Sequence, residues 1–188
     1  MLKSLFVADA DFLSEEQARA LAQRVLSFAK ADETRVNINS GWRGNTRFAG
    51  NEITTSGGTT DTVVTVTSSI GKRHASSSTN ILDDASLQRT VDQAERLARL
   101  SPEDPESMPE LGPQTYLSVN GYFDRTANLT PESRAVAAKG IIDTAEQMGT
   151  GGEGKLFVAG FLSASAGASA VANSRGLFAY HRNSGADL

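Results

Sequence analysis

Residues 33–80 carry no helical periodicity, yet the stretches on either side of them do, and this arrangement restricts the chain to a layered design of helices on a sheet. Before the block, SEEQARALAQRVLSFAKA starts at Ser14, which stands three residues before Gln17 in capping-box spacing. Ala18, Leu21, Ala22, Val25, Leu26 and Ala29 then recur at helical period. After the block, Asp83 or Asp84 caps a second helix, whose one face gathers Leu87, Val91, Ala94 and Leu97 or Ala98.

Inside the block, Val36 and Ile38 alternate with Arg35, Asn37 and Asn39, the pattern of a half-buried strand. Gly41 and Gly44 mark a hairpin-like connection into TRFAGNEITTSGG, residues 46–58, which reads as the next strand. Its Asn, Gly and Glu residues are poor strand formers, so tertiary packing must hold it. In that reading Phe48 and Ile53 face the helices, Arg47 and Asn51 present polar groups on the other side, Gly50 permits a bulge, and Gly57-Gly58 end the strand. The Val- and Thr-rich stretch that follows is broken by a turn at Ile70-Gly71-Lys72, which makes about four strands in a row. The predicted fold is α+β: an N-terminal lobe, residues 1–100, of helices packed on an antiparallel sheet.

SPEDPESMPELGP, residues 101–113, is rich in proline and acid and offers little to bury, so it reads as a linker. Residues 114–188 then begin a second α/β lobe. QTYLSVNGYFD is expected to be strand and loop, followed by a helix with Thr130 as N-cap and Pro131 at its first position, running to about Met148. Its expected inward positions are Val136, Ala137, Gly140, Ile141, Thr144 and Met148. KLFVAGFLSASAGASAVANSRGLFAYHRNS reads as two or three small-residue strands broken at Gly167 and Gly176. The chain stops four residues after Ser184 without a closing element, and the expectation is a lobe that is incomplete at its C-terminus.

A net charge of −4 with no basic run argues against a nucleic-acid surface. The absence of cysteine removes disulfide and thiolate chemistry and agrees with a cytoplasmic protein. No stretch reaches the roughly 20 apolar residues of a membrane helix, and the N-terminus is too acidic for a secretion signal.

Candidate chemistry is sparse. GTGGEGKL, residues 149–156, has the spacing of a phosphate-cradling loop, but it is expected to follow a helix and open a strand, and Leu156 supplies no hydroxyl for a metal ion. A glycine-rich helix end accounts for it better. His74 and His181 are the two histidines; neither has a second ligand at helical spacing, and both read as strand residues at a solvated edge. The serine-rich stretches SSSTN at 76–80 and SASAGASA at 163–170 lack a nucleophile elbow, and Glu52 and Asp61 read as surface charges. No catalytic, cofactor or metal residue is assigned to this chain.

The order of features is more telling than any one of them. Arg47 to Asn51, Val63 to Val66, Gly71 to Arg73, Thr79-Asn80, Asp83/Asp84 and Ser101 to Glu106 follow one another in a series that resembles the TldD/PmbA family of metalloproteases, once described as modulators of DNA gyrase. Asn173, Ser174 and Gly176 also look like that family's Asn-Ser-x-Gly strand pair. The resemblance implies the front portion of a larger protein that hydrolyses peptides or unfolded protein, with zinc on a His-Glu-x-x-x-His helix for which this chain has no matching position. It equally admits a non-catalytic partner subunit, since some members lack zinc ligands. It further implies homo- or heterodimers enclosing a chamber for flexible peptides. Within this chain, Arg47 and Asn51 are the candidate peptide contacts, and the small-residue strands at 161–174 are a candidate chamber wall or pairing edge.

Overall fold

In the computed structural model, residues 12–149 and 154–188 are described. The elements run α1 (Glu15–Phe28), β1 (Glu33–Ala49), β2 (Glu52–Ile70), β3 (Arg73–Thr79), α2 (Asp84–Leu100), α3 (Asp124–Ala127), α4 (Pro131–Gly149), β4 (Ala159–Asn173) and β5 (Phe178–Asp187). The five strands form one sheet in the order β3-β2-β1-β4-β5. The fold class is α+β with an antiparallel sheet, as the sequence predicts.

The helix starts follow from their caps. Ser14 Oγ accepts the Gln17 N–H at 3.2 Å and Gln17 Oε1 accepts the Ser14 N–H at 2.9 Å, the reciprocal arrangement expected of Ser-x-x-Gln. At α2 the cap is Asp83, not Asp84: its carboxylate accepts the Ser86 N–H at 2.8 Å and the Ser86 hydroxyl at 2.9 Å. These bonds, the Ser86 N–H first among them, hold the Asp83 carboxyl below the usual carboxylate range.

The strands are longer and fewer than the sequence suggests. β1 buries Thr34, Val36, Ile38, Ser40, Gly44, Thr46 and Phe48, so one parity persists through Gly41 and Gly44, which lie inside the strand. Residues 46–58 are not a single strand. Gly50 and Asn51 have φ of 61° and 66°, and this pair of positive values makes a two-residue type I′ turn that joins β1 to β2. Gly57 and Gly58 lie within β2 and do not end it. At the far end, Ile70 pairs with Arg73 across the Gly71-Lys72 turn, with Gly71 at φ 57°. Residues 33–79 therefore hold three strands instead of four.

β4 lies beside β1. Ser174 N–H reaches Thr34 O, a Cβ on Gly167 would lie 2.6 Å from Ser40 O, and one on Gly160 would meet the Phe48 ring at 2.3 Å. The partners fall as one strand's numbers rise, so the pair is antiparallel. Gly167 does not break the strand but permits this close approach; Gly176, at φ 88°, does turn the chain into β5. Residues 114–123 contain no strand.

Two compact units divide the chain, and neither is continuous in sequence: one comprises 1–41, 61–120 and 167–181, the other 42–60, 121–166 and 182–188. The grouping runs across residues 101–113 because β4 and β5 return to the sheet. In the first unit, Leu21, Val25, Leu87 and Val91 from the helices meet Val36, Ile38, Val64 and Val66 from the strands, together with Ala170 and Ala172. Each such Val or Leu contributes about 1.5–3 kcal/mol by burial. Glu95 is 3% exposed at the edge of this core, and its Oε1 accepts the backbone N–H groups of Lys30 and Ala31 at 2.5 and 3.0 Å.

In the second unit, Phe48 packs with Ala138 and Ile142 of α4. The buried side of α4 is Arg134, Ala138, Ile142 and Ala145, one position removed from the expected stripe, while Val136 is 72% exposed and Met148 67%. Small and apolar residues occur all round this helix, so periodicity alone does not select its inner face.

Candidate functional site

On the β1–β4–β5 portion of the first unit, a groove of about 440 Å³ lies open. Asn37 and Asn39 of β1, Ser169 and Val171 of β4, and His181 of β5 line it, with Tyr116, Leu117 and Val119 from the irregular segment before α3. The odd parity of β1 explains the asparagines, since Val36 and Ile38 occupy the buried face. Ser169 donates to Asn39 Oδ1 at 2.9 Å, while the Asn37 amide makes no hydrogen bond to any described residue. Leu117 is 93% exposed. The groove thus offers amide, hydroxyl and imidazole groups on a sheet, beside exposed apolar side chains.

Residues 101–113, read as a linker, lie along the first unit as a strap. Asp104 N–H donates to Lys72 O at 2.9 Å, Arg73 donates to Ser101 O at 3.1 Å, and Glu110 N–H donates to a Glu33 carboxylate oxygen at 2.9 Å. Acids of the strap meet arginines of the strands, Glu103 with Arg73 at 3.4 Å and Glu110 with Arg35 at 3.2 Å, and Asp104 lies 3.9 Å from the His74 imidazole. Exposed pairs of this kind contribute little singly, so the backbone bonds fix the path. Asn173, 3% exposed, joins the strap to the β4–β5 turn: its amide donates to Leu111 O at 2.8 Å, and its Oδ1 accepts the N–H groups of Arg175 and Leu177, each at 3.0 Å. That accounts physically for Asn-Ser-x-Gly. One side chain both closes the turn and anchors a distant segment.

The candidate peptide contacts part company. Arg47 is exposed on β1. Asn51, in the turn, is committed within the second unit: its Oδ1 accepts the Val158 N–H at 2.9 Å and its Nδ2 donates to Leu156 O at 2.9 Å. Sequence reasoning placed Asn51 on a strand face, because the positive φ that turns it toward residues 156–158 is not legible from its neighbours. A second, more apolar groove of about 460 Å³ runs along α4, lined by Ala137, Gly140, Ile141, Thr144, Met148 and Leu156 among others.

The remaining sequence candidates do not converge. His74 is on β3 and His181 on β5, and among the described residues no three His, Asp or Glu side chains are placed to hold a metal ion. The donor set present therefore does not fit a zinc centre. Asp61 accepts the Thr62 N–H at 2.9 Å, and Glu52 is exposed. Residues 150–153 of the glycine-rich loop lie outside the described residues; α4 precedes them and β4 follows, the reverse of what a phosphate loop requires. Arg134, 5% exposed, lies against Gly44 and donates to Leu129 O at 3.3 Å, a buried cation that helix periodicity did not reveal. Among the described residues no helix is long and apolar enough to cross a membrane.

Comparison with known proteins gives these features a context. No curated protein sequence matches the chain significantly. The profile of PmbA/TldA metallopeptidase domain 1 matches residues 36–98. The fold is similar to that of TldE from Thermococcus kodakarensis, with a TM-score of 0.78 at 16% identity, covering 90% of this chain and 37% of that one. It is also similar to a protein described as a modulator of a DNA gyrase from Thermotoga maritima, at TM-score 0.73 and 14% identity over 90% of this chain and 38% of that one. A protein so described from Bacteroides thetaiotaomicron gives 0.70 and 14% over 91% and 39%. At these identities the structures speak to fold, and the chain spans under two fifths of each. Over residues 36–98, about a third of its length, this chain is thus similar to the first domain of the PmbA/TldA metallopeptidases.

Proposed function

We propose that this chain is the receiving portion of a PmbA/TldD-type metallopeptidase subunit, a cytoplasmic protein acting on peptides or unfolded segments, with the hydrolytic zinc held by residues outside these 188. The observation that supports this is the groove floored by Asn37, Asn39, Ser169 and His181 and flanked by Tyr116, Leu117 and Val119. An extended peptide presents alternating N–H and C=O groups, and asparagine amides complement them; Asn51 already does so with this chain's own residues 156–158. The exposed Tyr116, Leu117 and Val119 would cover the peptide's apolar side chains without selecting a sequence. By itself the chain binds and positions but does not hydrolyse.

Fluorescence anisotropy with labelled unstructured peptides tests this. Binding weakened several-fold by Asn37→Ala and by His181→Ala is expected, with no hydrolysis and no stoichiometric zinc after dialysis. Equal affinity of both variants and the parent would remove the groove from the account, and zinc retained by the 188-residue chain would contradict the division of labour.

A further inference from the structure

Asn120-Gly121 stands in the irregular stretch before α3, with Asn120 exposed, and it is the chain's one Asn-Gly pair. A glycine after asparagine carries no Cβ to hinder its backbone nitrogen from reaching the asparagine side-chain carbonyl. That approach also needs both groups free. The Asn120 amide makes no hydrogen bond to any described residue, and the Gly121 N–H donates to none. Exposed segments of small and polar residues are where chemical change concentrates.

The three Asn-Ser pairs, at Asn39, Asn173 and Asn183, are the next most open to the same attack, because serine is small. The fold holds each of them. Ser40 is 5% exposed inside β1, which has a strand on either side. Ser174 N–H donates to Thr34 O at 2.9 Å, and Ser184 N–H donates to Gly121 O at 3.0 Å. Asn39 and Asn173 also commit their Oδ1 atoms, the first to Ser169 and the second to Arg175 and Leu177. A backbone nitrogen kept in such bonds cannot turn onto the preceding side chain unless the region opens.

We propose that Asn120 is a site of spontaneous self-modification, converted through a succinimide with Gly121 to isoaspartate and aspartate. The Gly121 nitrogen bonds to Asn120 Cγ, the Cγ–Nδ2 bond breaks, and the proton of the Gly121 nitrogen leaves with the departing ammonia. Water then opens the five-membered imide. Breaking its bond at Cγ gives aspartate; breaking its bond at the Asn120 main-chain carbonyl carbon gives isoaspartate, in which the chain runs through the side chain. No oxidant or reductant takes part, and a neutral amide is exchanged for one negative charge.

Isoaspartate also lengthens the main chain by one carbon. On the far side the chain is pinned, since Gly121 O accepts the Ser184 N–H and the Phe123 N–H donates to Ser184 Oγ at 2.9 Å. The extra carbon is therefore taken up toward Val119, which flanks the groove, and the new carboxylate stands next to it. The reaction itself does not depend on what the groove binds.

The experiment ages the folded 188-residue chain in neutral to mildly alkaline solution and maps it by mass spectrometry. Cleavage after Arg99 and Arg125 releases residues 100–125, in which Asn120 is the sole asparagine. That peptide should be the first to lose its amide, faster as pH rises, and should become a substrate for methylation by an isoaspartyl methyltransferase. The peptides holding Asn39, Asn173 and Asn183 should keep their amides, and should lose them once the chain is unfolded in urea. Asn120→Gln should abolish the change in residues 100–125, and Gly121→Ala should slow it at least about tenfold, as a barrier higher by roughly 1.4 kcal/mol would. An amide kept at Asn120 in the folded chain but lost in urea would overturn the proposal. So would Asn173 or Asn183 keeping pace with Asn120 in the folded chain, conversion without isoaspartate, or a Gly121→Ala variant that ages at the parent's rate.

Discussion

Asn51 accepts the Val158 N–H and donates to the Leu156 carbonyl, both at 2.9 Å, so a turn residue holds a segment more than a hundred positions away as a neighbouring strand would. Its φ of 66° is what aims it there. Asn51→Gly keeps the turn and loses the bonds to Leu156 and Val158 together with a longer one to Glu146, costing roughly 1–2 kcal/mol, and Asn51→Ala adds about 1 kcal/mol for the left-handed backbone. Urea unfolding reads the difference, and hydrogen exchange at Val158 should accelerate in both variants. Unchanged protection at Val158 would show that the bond does not persist in solution.

Asn173 should behave as a joint between turn and strap. Asn173→Asp keeps the acceptor for Arg175 and Leu177, loses the donation to Leu111, and sets a charge near Glu110. The expected loss is about 1–3 kcal/mol, with faster proteolysis confined to residues 103–111. Cleavage at the parent's rate would mean that the strap is held by its other contacts.

Glu95 serves two backbone donors that no other described group reaches. Glu95→Ala leaves the Lys30 and Ala31 N–H groups without an acceptor and should cost about 1–3 kcal/mol; Glu95→Gln retains Oε1 and should cost less. Thermal unfolding of the two variants beside the parent gives the order, and equal losses would show that the charge matters rather than the acceptor.

Acid stability should depend on Asp83. Its folded pKa lies below the ordinary value, so its contribution is present above that value and is lost as pH falls through the folded one. Stability should therefore decline more steeply below about pH 4 in the parent than in Asp83→Asn. Carbon-detected NMR titration should place the Asp83 midpoint lower than that of an exposed aspartate.

Two glycines should respond in opposite directions. A methyl at Gly167 would lie 2.6 Å from Ser40 O and 3.1 Å from Gly41 Cα, backbone atoms that cannot swing aside, and Gly167→Ala should cost roughly 1–3 kcal/mol. Gly140 lies in α4 with nothing within 4 Å, and Gly140→Ala should gain about 0.5–1 kcal/mol. Calorimetry of both variants would expose an error in either direction.

What the sequence determined by itself is local: Ser14 and Gln17 start α1, an aspartate starts α2, Val36 and Ile38 set the buried parity of β1, and Gly71 and Gly176 turn the chain. Capping, period-two burial and positive φ each act within a few residues, so they can be read in order along the chain. The similarity to the PmbA/TldA first domain is legible in that order too, since residues 36–98 hold most of the series that carries it. Only tertiary structure decided that β4 enters beside β1, that residues 101–113 lie along the strands, that α4 buries Arg134 and Ala138, and that Asn51, Glu95 and Asn173 each close a long loop with one side chain. TRFAGNEITTSGG shows the boundary most clearly. Its letters suit a strand, but whether Gly50-Asn51 bulges or turns depends on what waits for the asparagine amide, and Leu156 and Val158 are far away in sequence.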